Sequence, residues 1–392
     1  MDKPWVAIIG LGEDGLAGLS DASREALAQA EIIFGGPRHL ALVSAGEKGS
    51  TWPVPFSVAP VLACKGQRVA VLASGDPFWF GAGSSLTAQL FRDEWHAFPA
   101  PSTFQLAAAH LGWRIEEITC HGLHAAPFAR LRPVLTKGAR AICLLRDVDA
   151  PPALAAWLTA QGFAANLTML ECLGGPNQRI RQTTADAFAM VDITAPVAVA
   201  IEITAGLGLS RASGLDDPLF AHDGQITKRP VRALTLSALA PRAGELLWDI
   251  GAGSGSISVE WCLAAGRALA FELRADRAIN IRTNAAKFGI DHRLTCIEGP
   301  AAVSLVGHPI PDAVFIGGGG NAALFDQLWQ LLPAGTRIVA NGVTLETESL
   351  LAQQHAQRGG TLLRIDLAAA APLGRMRGWD AVRPVVQWSV IR

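Results

Sequence analysis

The segment Leu246–Ser256, LLWDIGAGSGS, constrains this chain more than any other. An apolar run suited to a buried strand meets a loop with Gly251, Gly253 and Gly255, and a segment of helical composition follows. The glycines let the backbone pass beside a ligand with no Cβ in the way, and the free N–H groups of the helix start face the same spot. Open α/β folds hold nucleotides with this arrangement, at the carboxyl end of a strand. Ser256 stands where a dinucleotide fingerprint would carry its third glycine, which argues against the rival reading of an NAD-dependent oxidoreductase. Glu272 closes the next apolar run, 23 residues after Asp249, the spacing of an acid that accepts from both hydroxyls of an adenosine ribose. The carboxyl half is therefore expected to hold a nucleoside-containing cofactor. Glu298 and Gly299, after the following strand, would border the adenine. Gly317–Gly320, with Gly318 and Gly319 at its centre, would form a backbone wall beside a bulky substrate.

The rest of the chain reads as two α/β patterns. Strands are expected at Val6–Ile9, Glu31–Phe34, Val69–Ala73, Ala139–Leu145 and Pro196–Ile203, with helices at Asp21–Ala30, Thr103–Leu111 and Ala153–Ala160. Residues 209–226, rich in glycine and serine and without an apolar period, read as a linker between a domain at 1–208 and another at 227–392. In the second domain, strands are expected at Leu246–Ile250, Ala268–Glu272, Leu294–Ile297, Ala313–Ile316 and Arg337–Ala340. A helix is expected over Asp276–Phe288, with Ile279, Ile281, Ala285 and Phe288 apolar. Leu362–Leu367 and Val385–Val390 would pair antiparallel across the Arg375–Arg383 segment.

Composition narrows the function classes. A net charge of −1 gives no footprint for nucleic acid. No uncharged apolar stretch reaches the ~18 residues of a membrane span, and the amino terminus lacks the pattern of a signal peptide, so a cytoplasmic protein is expected. The six cysteines form no C-x-x-C pair. Cys120-His121-Gly122-Leu123-His124 has no carboxylate near it in sequence, so no metal site is expected. The absence of tyrosine excludes a tyrosine general base.

Two resemblances make the reading specific. ITKRPVRALTLSALAPRAGELLWDIGAGSGSISVEW, FELRADRAINIRTNAAKFGI and PDAVFIGGGGN resemble the cobalamin-pathway enzymes that methylate and decarboxylate a precorrin. That likeness implies a Rossmann-like class I methyltransferase fold. S-adenosylmethionine would be held by Thr227, by Gly251, Ala252, Gly253, Ser254 and Gly255, and by Glu272, with Glu298 and Gly299 beside it. One departure is visible: Glu298-Gly299 leads into Pro300-Ala301-Ala302, where the family has a small residue and Ala-Pro. In the amino half, Gly10–Gly15, Ser74-Gly75-Asp76-Pro77 and Pro101-Ser102-Thr103-Phe104 are similar to the tetrapyrrole methylases, a two-lobed class III methyltransferase fold. By that likeness Asp76, Ser102, Thr103, Leu145 and Leu173 border a second S-adenosylmethionine, and Gly12 faces the tetrapyrrole.

Together the resemblances imply methylation of precorrin-6B at C-5 and C-15 and loss of carbon dioxide from its ring C acetate, giving precorrin-8. They also imply a homo-oligomer formed through the carboxyl half. A cobalt-containing substrate, or a half that only binds the tetrapyrrole, stays open. Arg38, Arg375 and Arg377 are candidates to grip substrate carboxylates, for which a guanidinium is suited. His121 and Glu346 are candidate proton acceptors.

Overall fold

The computed structural model describes residues 4–392, without the side chain of residue 302, and every count below refers to them. The chain forms two compact units. One runs to Phe128 and resumes from Val134 to Leu207; the other holds Ala129–Pro133 and Gly208–Arg392.

The first unit contains two sheets. β1 (Val6–Leu11), β2 (Ile32–Gly35), β3 (Gly49–Thr51), β4 (Val69–Ser74) and β5 (Trp95–Phe98) make a parallel sheet in the order β3-β2-β4-β1-β5. β1 and β4 are continuous apolar runs because both faces are covered. Ile9, Leu11, Ala70 and Leu72 pack on one side with Leu27. Val6, Ile8, Val69 and Val71 pack on the other with Val61 and Leu86. The helix Asp21–Gln29 starts where expected, with the Ser20 hydroxyl accepting from the Ser23 amide at 3.2 Å.

The second sheet holds β6 (Thr119–Gly122), β7 (Arg140–Leu144), β8 (Ala164–Glu171), β9 (Arg179–Thr184) and β10 (Val197–Ala205), ordered β6-β7-β10-β8-β9. Only β6 and β7 run parallel. Sequence periodicity points to β7 and β10 and misses β6, β8 and β9. β9 is a polar edge strand, RIRQTT, whose arginines close on the buried Glu171 carboxylate.

In the second unit, β11 (Leu246–Ile250), β12 (Arg267–Glu272), β13 (Leu294–Glu298), β14 (Ala313–Ile316) and β15 (Arg337–Gly342) are parallel. β16 (Thr361–Ile365) and β19 (Val385–Ile391) extend that sheet antiparallel, with Leu362 opposite Trp388, as the sequence suggested. The order is β13-β12-β11-β14-β15-β19-β16. Between β16 and β19 an unforeseen hairpin, β17 (Ala368–Leu373) and β18 (Met376–Ala381), forms a separate two-stranded sheet. The helix Ala275–Lys287 buries Ala278, Ile281, Asn284 and Ala285, a spacing of three and four residues. Ile279, expected on that face, is 61% exposed, because two positions before Ile281 a helix points elsewhere.

Residues 209–226, read from sequence as a linker, pack into the second unit instead. Leu215 and Phe220 join its core. The buried Glu260 carboxylate accepts from the Gly214 and Leu215 amides at 2.6 and 2.9 Å. Arg232, wholly buried, pairs with Glu260 at 2.6 Å and Asp217 at 3.1 Å, and its guanidinium lies 4.7 Å from the Phe220 ring centre. No described helix is long and apolar enough to cross a membrane. No group of three or more His, Cys, Asp or Glu among the described residues is arranged to hold a metal ion.

Candidate functional site

In the second unit the candidate residues gather at the carboxyl ends of the parallel strands. Gly251, Gly253 and Gly255 all take positive φ, at 66°, 60° and 71°. At Gly251 glycine is also required by space: a Cβ there would lie 2.5 Å from the Gly318 carbonyl oxygen. The loops after β11 and β14 are thus in backbone contact, and the four-glycine wall abuts the glycine loop. Gly318 and Gly319 are exposed there.

Glu272, at the end of β12, is buried, yet its carboxylate is fully engaged by backbone. One oxygen accepts from the Gly253 amide at 2.8 Å and the other from the Arg274 amide at 3.0 Å. Each oxygen keeps a second lone pair, so the group fits a ligand with two vicinal hydroxyls while it holds the glycine loop in place. Glu298 lies opposite Glu272 in the β12–β13 register, but its side chain is exposed and pairs with Arg282. Gly299 follows at φ 137°, its amide donating to the Glu272 carbonyl at 3.0 Å. Thr227 is half-buried just before the helix Arg229–Leu239, and its carbonyl accepts from Arg232.

Two residues that sequence reasoning did not assign support this loop. Asn284 is fully buried; its amide group donates to the Ser254 carbonyl at 2.8 Å and the Ala221 carbonyl at 2.9 Å, and its oxygen accepts from the Ala221 amide at 2.7 Å. Asp249, also buried, accepts from the Ser258 amide and hydroxyl at 3.2 and 2.6 Å through one oxygen, and its other oxygen has no partner. Burial, aided by the nearby Glu272 charge, pushes its carboxyl up to about 7. A polar residue one position before Ala285 on the apolar face was the available signal for Asn284, and spacing along the helix carries no hint of what it reaches.

Glu346 is exposed in the first turn of the helix Leu345–Arg358. Its own backbone amide, then the Thr344 hydroxyl, hold its carboxyl below the usual range, which weakens it as a base. Arg375 and Arg377 are exposed on the β17–β18 hairpin, without a partner among the described residues.

In the first unit the three motif segments meet backbone to backbone. A Cβ on Gly10 would sit 1.9 Å from the Gly75 carbonyl oxygen, and one on Gly75, whose φ is 55°, would sit 2.6 Å from the Ser102 Cα. Around this junction opens a cavity of about 570 Å³, within the range of small-molecule sites. Gly12, Arg38, Ser102, Thr103, Leu145 and Leu173 all line it, so the structure brings these candidates together. Ser102 also caps the helix Thr103–Leu111: its hydroxyl accepts from the Gln105 amide at 3.2 Å, and its own amide donates to the Gln105 side chain at 2.7 Å. Asp76 is not among the lining residues; its carboxylate accepts from the Phe78 amide at 2.8 Å and shapes the turn. His121 lies on β6, outside the lining, with its Nε2 buried and unpartnered and its basicity lowered by burial. His124, three residues on, does line the cavity.

Comparison with known proteins places both units. The family described as precorrin methyltransferase domain matches residues 218–392, and the family described as tetrapyrrole (corrin/porphyrin) methylases matches residues 6–189. A Sinorhizobium protein named precorrin-6Y C(5,15)-methyltransferase [decarboxylating] is 47% identical over 99% of this chain and 96% of its own length. This chain belongs to that family. A Mycobacterium tuberculosis member is 39% identical over 99% of this chain and 100% of its own. The crystal structure of the carboxyl-terminal domain of a Rhodobacter capsulatus precorrin-6Y C5,15-methyltransferase is 62% identical, covering 47% of this chain and 100% of that one, with a TM-score of 0.46. Membership fixes the fold class expected from sequence, a tetrapyrrole methylase domain followed by a precorrin methyltransferase domain.

Proposed function

We propose that this chain uses S-adenosylmethionine to methylate precorrin-6B at C-5 and C-15 and removes the ring C acetate carboxyl as carbon dioxide, giving precorrin-8. The observation that carries the proposal is the end-to-end 47% identity to a precorrin-6Y C(5,15)-methyltransferase [decarboxylating], which spans both units of the fold. Each unit takes one cofactor: the second at the Gly251–Gly255 loop and Glu272, the first in the cavity lined by Ser102, Thr103, Leu145 and Leu173. The bound cofactor supplies a methyl group already activated on a sulfonium. The chain's residues are left with positioning, which can supply roughly 7–11 kcal/mol of a barrier when the geometry is tight. The second unit performs the decarboxylation with one methylation and the first unit the other.

Oligomerisation through the second unit is part of the proposal. Leu373, Met376 and Trp379 on the β17–β18 hairpin are 70%, 78% and 80% exposed. A two-stranded hairpin is marginally stable alone, so these side chains call for a partner surface, and a second copy of the chain supplies one.

Mass spectrometry of the product from precorrin-6B and S-adenosylmethionine tests the chemistry. Two added methyl groups and one lost carbon dioxide are expected; an unchanged tetrapyrrole refutes the reading. Sedimentation tests the assembly: Trp379→Glu with Met376→Glu should lower the mass of the particle.

A further inference from the structure

Four side chains lining the first unit's cavity form a connected cluster distinct from the residues assigned above to its cofactor. Glu13 lies in the loop after β1, Arg38 and His39 in the helix Pro37–Leu42, and Ser74 at the end of β4; all four line the cavity. Arg38 Nη1 is ion-paired with Glu13. Its Nη2 reaches Ser74 Oγ at 2.9 Å and His39 Nε2 at 3.0 Å, and Ser74 Oγ lies 2.8 Å from His39 Nε2.

The donor inventory fixes the protons. A guanidinium only donates, so the single lone pair of His39 Nε2 accepts from Arg38 and the ring proton sits on Nδ1, which is buried without a partner. The Ser74 hydroxyl accepts from Arg38, and it lies within reach to give its own hydrogen to Nε2 once Arg38 releases that nitrogen's single lone pair. The imidazole is then a neutral base beside a serine hydroxyl that is itself exposed in the cavity. Burial first, and the Arg38 charge second, hold it to about 4. Glu13, Arg38 and Ser74 are the charged and polar groups placed against it from the three elements that meet here.

We infer that Ser74 and His39 form the proton acceptor of the first unit's methylation, and that Arg38 keeps this base idle until a substrate carboxylate draws Arg38 Nη2 away. The inference rests on the methylation reading above. In that step the sulfur–methyl bond breaks and the bond from that methyl to the ring carbon forms. The hydrogen of that ring carbon leaves as a proton to Ser74 Oγ, while the serine's own proton passes to His39 Nε2. The imidazolium returns its proton to water. His121, outside the cavity lining and with its Nε2 buried, has no comparable route to a ligand there.

Two measurements on the full-length chain test this. In 15N-histidine NMR without ligand, His39 should carry its proton on Nδ1 and titrate near 4. Arg38→Gln should raise that value, and a proton on Nε2 in the wild type overturns the inference. In turnover, His39→Asn and Ser74→Ala should each slow the first unit's methylation about 100-fold or more, the low end of general-base effects. The singly methylated, decarboxylated product should then accumulate, while S-adenosylhomocysteine affinity and substrate KM stay within about threefold. Exogenous imidazole should partly restore His39→Ala. If both variants turn over within threefold of a wild type that adds two methyl groups, the proton-acceptor role is wrong and the functional reading stands. If the wild type adds no methyl group, the functional reading itself fails.

Discussion

Glu272→Gln is nearly isosteric, yet it should disable the second unit's cofactor site. The carboxylate accepts from two backbone amides, Gly253 at 2.8 Å and Arg274 at 3.0 Å, one on each oxygen. Glutamine offers one oxygen and one NH₂ group, so one of the two amides must face a donor. A buried N–H left without an acceptor costs about 1–3 kcal/mol, and the surviving bond loses its charge assistance, which roughly halves it. The sum is about 2–4 kcal/mol, placed on the loop that must present Gly251–Gly255 to the ligand. If that cost appears in binding, at 1.4 kcal/mol per factor of ten, affinity falls by about thirty-fold to several hundred-fold. Calorimetric titration of the whole chain with S-adenosylhomocysteine is the assay. The wild type should bind two equivalents, and the variant should keep one site unchanged and lose or weaken the other. Wild-type affinity at both sites in Glu272→Gln would refute the reasoning, because it would mean that neither the loop amide nor the ligand depends on this carboxylate.

Other outcomes follow from the same structure. Asn284→Ala strands the Ser254 and Ala221 carbonyls and the Ala221 amide, so it should lower the second unit's thermal midpoint and weaken S-adenosylhomocysteine binding there about tenfold or more, read by calorimetry. Glu260→Ala leaves the buried Arg232 guanidinium without its closest carboxylate and should destabilise the second unit by about 3–5 kcal/mol in urea titration. Asp249 has its carboxyl raised to about 7, above the ~3.9 of an unfolded chain, so the folded state binds more protons between these values. Its contribution to stability should therefore decline as pH rises from about 4 to about 7, by at most about 4 kcal/mol, and be flat above. Asp249→Asn should flatten that slope in urea titrations run across the same pH window.

The strand–glycine–helix unit at Leu246–Leu263 was legible in the sequence because it is local: an apolar run, three glycines and a helix lie within about twenty residues, and each obeys short-range rules. The same holds for the helix Thr103–Leu111 and the parallel strands β1 and β4, whose unbroken apolar runs follow from burial on both faces. Resemblance along these local motifs was enough to expect two methyltransferase domains in one chain. Tertiary structure decided what depends on distant partners. Residues 209–226 have no apolar period, yet Leu215, Phe220 and the Glu260–Arg232 pair lock them into the second unit. Asn284 reads as any polar helical residue until its three partners come from the glycine loop and from Ala221, 63 residues earlier in the chain. Chain order does not tell His121 and His39 apart as bases; only the fold puts one outside the cavity lining and the other beside Ser74, which lies 35 positions away. Spacing along a strand or helix reports one face of one element, whereas the partners that set a side chain's charge and reach arrive from elements that chain order does not predict.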